Sequence, residues 1–455
     1  MSAAEPFFHH SIRFNDYLCT LCGACVRACP TSALRIRNGK VVLYGNKCVD
    51  CGECLRTCNT RAVYIKQDDF QLLENYRHRV ALVPAVFISQ FEDKYKTKEI
   101  YACLYKLGFT HIYEVEQSIE LLAPLYREYM DAHPEIHTFI SPYCPAVIRL
   151  IQVRFPSLVD NIIKLKSPLD IAALSIRRKF ENDGVRRESL GIFYVTPCAA
   201  KIASIKSPVG HYDTYINGVI NMDFLYNKVK LLLSNRGKEG SSTINHSLSG
   251  RDVRWPLTGG ESANFSASIF AVDGLGNVLD FLENLEDEAI DAPGLVEMRI
   301  CDQSCVGGPL ATSNRFVARD RMERRARLLD RLERLHKTGQ EPTEDGVRAS
   351  RDEFPEDLLP QVVVPEIKPR SLFKLDDNFS TAFKKAEEMK RIEKALPGIN
   401  CSACGAPTCA AFAEDVVRGT ANAEDCLFSE IKDTAVPVLK RIWGPSLPKN
   451  GKKRD

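Results

Sequence analysis

Gly191-Ile192-Phe193-Tyr194-Val195 runs directly into Thr196-Pro197-Cys198-Ala199-Ala200-Lys201. An apolar strand thus ends in a cysteine. Two further segments repeat the arrangement. Ile136 to Ile140 leads into Ser141-Pro142-Tyr143-Cys144-Pro145, and Leu295 to Ile300 leads into Cys301-Asp302-Gln303-Ser304-Cys305-Val306-Gly307-Gly308-Pro309. In α/β sheets, ligands gather beyond the carboxyl ends of the strands, so these separate segments are expected to converge on one pocket. Pro145 is predicted to open a helix as its first residue, aiming that helix's N-terminus at the pocket. From Arg79 to about Gly308, strands such as Val80 to Val86 alternate with helical stretches such as Ser118 to His133. That alternation predicts an α/β domain with a largely parallel sheet.

Outward from this core, sixteen of the seventeen cysteines fall into cluster-binding patterns, and only Cys103 is left over. Near the N-terminus, Cys19-Thr20-Leu21-Cys22-Gly23-Ala24-Cys25 is followed by Cys29-Pro30, and Cys48-Val49-Asp50-Cys51-Gly52-Glu53-Cys54 by Cys58. Three closely spaced thiolates wrap three corners of a 4Fe–4S cube, and the fourth corner comes from the other repeat. Cys19, Cys22, Cys25 and Cys58 then hold one cluster, and Cys48, Cys51, Cys54 and Cys29 the other. Gly23 and Gly52 let the backbone approach the sulphurs. Asn59, standing where the first repeat has Pro30, is expected to alter the turn and not the ligation. Each half continues into a short strand, Ala33 to Ile36 and Ala62 to Ile65. Zinc is the competing metal, but it favours paired Cys-x-x-Cys knuckles over a triple followed by Cys-Pro. This segment resembles the bacterial two-cluster ferredoxin.

Bulk properties set limits. The charge of +2 argues against a nucleic-acid footprint, and 44% hydrophobic with 26% charged residues is ordinary for a globular chain. No apolar run approaches the roughly 18 residues that would span a bilayer. Met1 to Phe8 does not read as a secretory signal. Cysteine-rich and without such a signal, the chain is expected in the cytoplasm, binding metal rather than forming disulfides.

Taken with the ferredoxin repeat, the three central loops resemble the iron-only (FeFe) hydrogenases. The matching residues are Pro142-Tyr143-Cys144-Pro145, then Thr196-Pro197-Cys198-Ala199-Ala200-Lys201, then Glu297-Met298-Arg299-Ile300-Cys301 with Cys305, Gly307, Gly308 and Pro309. The resemblance implies a two-lobed α/β core in which Cys144, Cys198, Cys301 and Cys305 bind a 4Fe–4S subcluster. Cys305 would bridge to a diiron unit carrying carbonyl and cyanide ligands, and Lys201 would donate to a cyanide. Hydrogen and protons are the implied reactants.

Three departures matter. Tyr143 stands where the family usually has a proton-carrying cysteine, and a phenol near 10 exchanges protons less well at neutral pH than a thiol near 8.5. Arg299 replaces a usual methionine near the diiron site, and Ser304 a usual glycine. These changes resemble the family's sensory branch. Within Thr258-Gly259-Gly260-Glu261-Ser262, Glu261 is a substitute proton carrier if burial raises its pKa. The plainer alternative is a helix-capping or surface glutamate. Cys103 reads as a buried structural thiol. None of the nine histidines shows ligand spacing.

Near the C-terminus, Cys401, Cys404, Cys409 and Cys426 form a compact set with a predicted helix over Cys409 to Arg418. The set resembles the small 4Fe–4S domain of several redox proteins, with structural zinc as the alternative. Arg315 to Lys337 predicts a charged helix whose leucines 328, 329, 332 and 335 form one apolar stripe.

The expected organisation is multidomain α/β. Residues 1–72 form a ferredoxin-like α+β domain and 78–337 the catalytic domain. Residues 338–380 read as linker, 381–436 as a small, mostly helical 4Fe–4S domain, and 437–455 as a basic tail. The two terminal domains are expected to act as independent electron sites. The expected function is a hydrogenase-like protein that binds or slowly cleaves hydrogen, as a hydrogen or redox sensor with a redox or signalling partner, and possible homodimer formation. A non-catalytic iron–sulphur protein for electron transfer or cluster assembly is the alternative.

Overall fold

The computed structural model describes residues 8–210, 212–235, 248–265, 269–337, 359–370, 375–376 and 378–428. The basic tail lies outside the described residues. The chain divides into two compact units, one comprising residues 1–11 and 65–369 and the other 12–64 and 370–455.

Among the described residues, eleven strands follow in chain order: β1 Ile12–Phe14, β2 Leu34–Arg37, β3 Lys40–Leu43, β4 Val63–Ile65, β5 His78–Val83, β6 His111–Glu114, β7 Thr138–Ile140, β8 Leu190–Thr196, β9 Gly218–Asn221, β10 Ile269–Asp273 and β11 Gly294–Arg299. The larger unit holds two parallel sheets, ordered β6-β5-β8-β9 and β10-β11-β7. Every residue of β8 is buried, as expected of a central parallel strand covered on both faces. The α/β reading therefore holds, and the two parallel sheets accord with the expected two-lobed core.

The first strand stops earlier than the expected Val80 to Val86. Pro84 ends it, Ala85–Ile88 turns helical, and the Ala85 amide donates to the Glu116 carboxylate at 2.9 Å. Proline supplies no N–H, so the ladder has nothing to continue it. The helix Arg315–Lys337 forms as predicted, but its packed stripe is different. Ala318, Met322 and Ala326 are buried, whereas Leu328 and Leu332 are exposed. These three residues, spaced four apart, share one helix face, and Arg325 from the same helix forks onto Glu114 at 2.5 and 2.9 Å. Part of the expected linker is also core. Val362, Val364 and Ile367 are buried, and backbone bonds from Lys166 to Val362 and from Val364 to Lys164 hold this stretch to the larger unit. Its proline and acidic content concealed an apolar strip.

In the smaller unit the two cysteine repeats adopt the same backbone. Leu21 and Asp50, each just before the second cysteine, are left-handed, as are Gly23 and Gly52 just after it. The turn after the last cysteine also repeats. Ser32 and Arg61 are both left-handed, and their amides return to the Cys29 and Cys58 carbonyls at 3.2 and 3.3 Å. Asn59 therefore leaves the turn unaltered, contrary to expectation. The turn is closed by backbone bonds that neither Pro30 nor Asn59 supplies.

Glu116 is a buried carboxyl that the sequence reading passed over. Burial first, and then the Glu114 carboxylate, push it up to about 8. The folded chain thus holds a proton that the unfolded chain releases near 4.5. Raising pH through the interval between these values favours unfolding, so the stability tied to this proton is present in acid and lost as pH approaches 8. Glu116→Gln should remove that dependence. Denaturant titrations at several pH values should show the variant gaining on the parent through the interval, by roughly 5 kcal/mol at most, and level above it. Parallel curves for the two proteins would contradict the assignment.

Candidate metal centres

The central site is assembled at strand ends, as the pattern of β7, β8 and β11 requires. Cys144 caps the helix Pro145–Arg154, with Pro145 at its first turn as expected, and Cys198 caps the helix Ala199–Lys206. Two helix N-termini therefore open beside these thiols. Cys305 sits in the short turn Ser304–Gly307. The third loop is tied to the second by the Leu310 amide, which donates to the Pro197 carbonyl at 3.1 Å.

Cys144, Cys198 and Cys305 interact electrostatically as neighbours. Burial pushes Cys198 up to about 12, with Cys305 and Cys144 adding to the rise, and burial likewise raises Cys305. Cys301 lies two residues past β11 and is partly exposed. Thiols this close and this dry do not ionise together unaided. A bound cationic metal group would make thiolates favourable there.

Tyr143 dominates the wall of this site. It is 6% exposed, and its hydroxyl lies 3.7 Å from Cys305 Sγ. Its ring is held between two cations, Lys201 Nζ at 4.4 Å and Arg299 Cζ at 4.0 Å from the centroid. Burial, then Cys305, hold its hydroxyl well above the ordinary phenol range. Lys201 is buried, and among the described residues its ammonium makes no ion pair and no hydrogen bond. A buried ammonium with three unused donors fits an anionic ligand.

Arg299 is differently placed. It pairs with Glu261 at 2.7 Å and lies 3.8 Å from Glu297. Burial alone would lower it, but Glu261 and then Glu297 hold it above its usual value. Glu261 is fully buried, accepting from Ser141 at 2.5 Å through one oxygen and facing Arg299 with the other. It is neither a surface residue nor a free carboxyl. Glu297 was named from sequence only as part of the third loop, with no role of its own. It accepts the Gly259 and Ser262 amides at 2.8 and 2.9 Å, and burial raises it. Its signal was a lone charge inside an apolar strand, between Val296 and Met298. Ser304 is left-handed at φ 59° and bonds Thr258 at 2.5 Å. The hydroxyl bond offsets a conformation that glycine adopts without strain. Cys103 is buried in the helix Thr97–Lys106.

The remaining cysteines gather in three sets. Cys25 is pushed up to about 11 by burial, then by Cys19, Cys58 and Cys22. Burial and Cys29 raise Cys51, and Cys54 is raised by burial, Cys51 and Cys29. Cys48, likewise raised chiefly by burial, also has Cys29 and Cys51 among its charged neighbours. The fourth thiol of each N-terminal set therefore comes from the other repeat. Cys404 is raised by burial, then by Cys401, Cys426 and Cys409, and these four line one small recess. Among the described residues, no helix is long and apolar enough to cross a membrane.

No curated protein matches the chain. Among solved structures, an FeFe-hydrogenase HydA(deltaEFG), from work on stepwise H-cluster assembly, is 14% identical. It covers 64% of this chain and 94% of that one, with TM-score 0.46. A variant of FeFe-hydrogenase HydA1 from Chlamydomonas reinhardtii is also 14% identical, over 65% of this chain and 95% of that one, with TM-score 0.46. The 4Fe–4S dicluster domain model matches residues 11–59, and an FeS-cluster model matches 396–428. Between them, residues 78–230 match the iron-only hydrogenase large subunit, C-terminal domain. That match lies over the segment that carries Tyr143, Cys144, Cys198 and Lys201, and it makes this part of the chain similar to the iron-only hydrogenase large subunit, beside two segments similar to iron–sulphur cluster domains.

Proposed function

We propose that the protein binds or slowly cleaves hydrogen at a diiron–4Fe–4S centre and serves as a hydrogen or redox sensor. In this reading Cys144, Cys198, Cys301 and Cys305 hold the central 4Fe–4S cluster, with Cys305 shared with the diiron unit. The other three sets of cysteines, two N-terminal and one C-terminal, hold one 4Fe–4S cluster each. When bound, the diiron unit would supply the open metal position for heterolytic hydrogen cleavage. Lys201 would turn its three donors to a cyanide ligand.

The observation that carries the sensory reading is Tyr143, caged between Lys201 and Arg299 at the place of the family's proton-carrying thiol. General acid–base work requires a group that exchanges its proton near the operating pH. A buried phenol raised further by its surroundings is not such a group. Glu261 is one nearby carboxylate for that role, but Ser141 and Arg299 engage its two oxygens. Slow turnover suits a protein whose output is its redox state. A signalling or electron-accepting protein would read that state, in the cytoplasm, where thiols stay reduced.

The test is an infrared spectrum of protein matured with a diiron precursor. Bands in the carbonyl and cyanide region, with hydrogen-dependent changes and low turnover, are the expected result. Absence of those bands in protein carrying its full complement of 4Fe–4S iron would favour the non-catalytic electron-transfer or assembly role instead.

A further inference from the structure

Arg35 is a fully buried arginine in the second strand of a small ferredoxin-like module. Such a charge is costly to bury without a partner. Its partner comes from the far end of the chain. Arg35 Nε and Arg37 both reach Asp415 Oδ2 at 2.5 Å, and Asp415 is itself fully buried. Lys47 pairs with Glu414 at 2.5 Å. The backbones also meet. The Ile36 amide donates to the Gly405 carbonyl at 2.8 Å, and Arg37 donates to the Cys404 carbonyl at 2.8 Å. Gly405 is left-handed at φ 78°, and a Cβ there would lie 2.2 Å from the Ile36 carbonyl oxygen. No larger residue fits that approach. The two terminal cysteine modules therefore share one buried, charge-paired contact within a single compact unit.

The contact places particular thiols together. Cys22 and Gly23 of the first repeat line one open cleft with Cys401, Cys404 and Gly405. Cys22 is the exposed member of its set. None of Cys29, Cys48, Cys51 and Cys54 lines that cleft. Electron tunnelling falls steeply with distance, so the ligands that share a cleft define the favoured exchange pair.

We propose that the C-terminal cluster is the direct electron partner of the cluster held by Cys19, Cys22, Cys25 and Cys58, with the Arg35–Asp415–Arg37 contact as the latch that fixes their separation. This rests on the reading that both sets hold 4Fe–4S clusters. One electron leaves the reduced cube of either site and enters the oxidised cube of the other. No bond breaks and no proton moves. The C-terminal module is then an entry or exit port for electrons.

The test uses the full chain with reconstituted clusters, reduced with dithionite and examined by electron paramagnetic resonance. Reduction of both sites should broaden the signal of the Cys19-set cluster and speed its spin relaxation. Cys401→Ala with Cys409→Ala, which removes the C-terminal cluster, should abolish that extra broadening. Asp415→Asn should weaken it at unchanged iron content. Should Asp415→Asn lose iron, Gly405→Ala perturbs the same contact from the backbone side and should weaken it too. A difference spectrum between the full chain and the double variant that is a sharp, non-interacting signal would overturn the relay while leaving the clusters intact. Zinc in the C-terminal site would overturn both the relay and the cluster reading beneath it.

Discussion

Tyr143→Cys raises hydrogen turnover of the matured protein. A positioned acid–base group typically contributes about 10²–10⁴ in rate, and the thiol restores a group that exchanges nearer neutral pH. The lower end of that range is expected, because the substitution also removes a ring that holds two cations. With the ring gone, Lys201 and Arg299 lose their shared π surface, and contacts of this kind contribute roughly 2 kcal/mol each when desolvated. Hydrogen-dependent reduction of a dye, measured per diiron unit, reads the effect. Tyr143→Phe is the control: it keeps the cage and adds no thiol, so its rate should stay at the parent level. High parental turnover, indifferent to Tyr143→Cys but abolished by Glu261→Gln, would instead assign the relay to Glu261 and remove the main support for a sensor.

Cys305→Ala should have the second large effect, loss of the diiron unit. Cys305 Sγ lies 3.7 Å from the Tyr143 hydroxyl, and its charged neighbours include Lys201, Arg299 and Cys144. A cluster ligand cannot be replaced by a methyl group without opening a coordination position. The carbonyl and cyanide infrared bands should vanish. The reduced signals of the terminal clusters should persist, because their cysteines lie in other sets. Iron content should fall towards about twelve atoms, three cubes of four, if the central cube is lost as well. Infrared bands surviving in Cys305→Ala would refute the bridging assignment.

Lys201→Ala addresses the anion-facing ammonium separately. With no ion pair to lose among the described residues, it should fold normally and take up its 4Fe–4S clusters. Maturation with the diiron precursor should be impaired, seen as weaker infrared bands at equal protein.

The cysteine spacings were legible because cluster ligation is a local demand on a short loop. Cys19 to Cys25 and Cys48 to Cys54 reveal themselves within a few residues, and their repeated left-handed turns follow from the same constraint. The strand-to-cysteine junctions at Cys144, Cys198 and Cys301 were legible for a related reason. A buried parallel strand is a short apolar run, and its carboxyl end is where a ligand loop must begin. Pro145 marked its helix start by local stereochemistry.

Tertiary structure decided the rest, wherever a residue's role depends on a partner far along the chain. Arg35 reads as an ordinary strand charge until Asp415, hundreds of residues away, is seen to neutralise it. Glu261 reads equally well as a cap, a surface group or a proton carrier until Ser141 and Arg299 take its two oxygens. In the helix Arg315–Lys337 the buried face is Ala318, Met322 and Ala326 and not Leu328 and Leu332, because which face packs is set by the distant segments that meet the helix. Local stereochemistry and short-range ligation are written in spacing. Burial, and the pairing of charges that burial compels, exist only once distant segments have met.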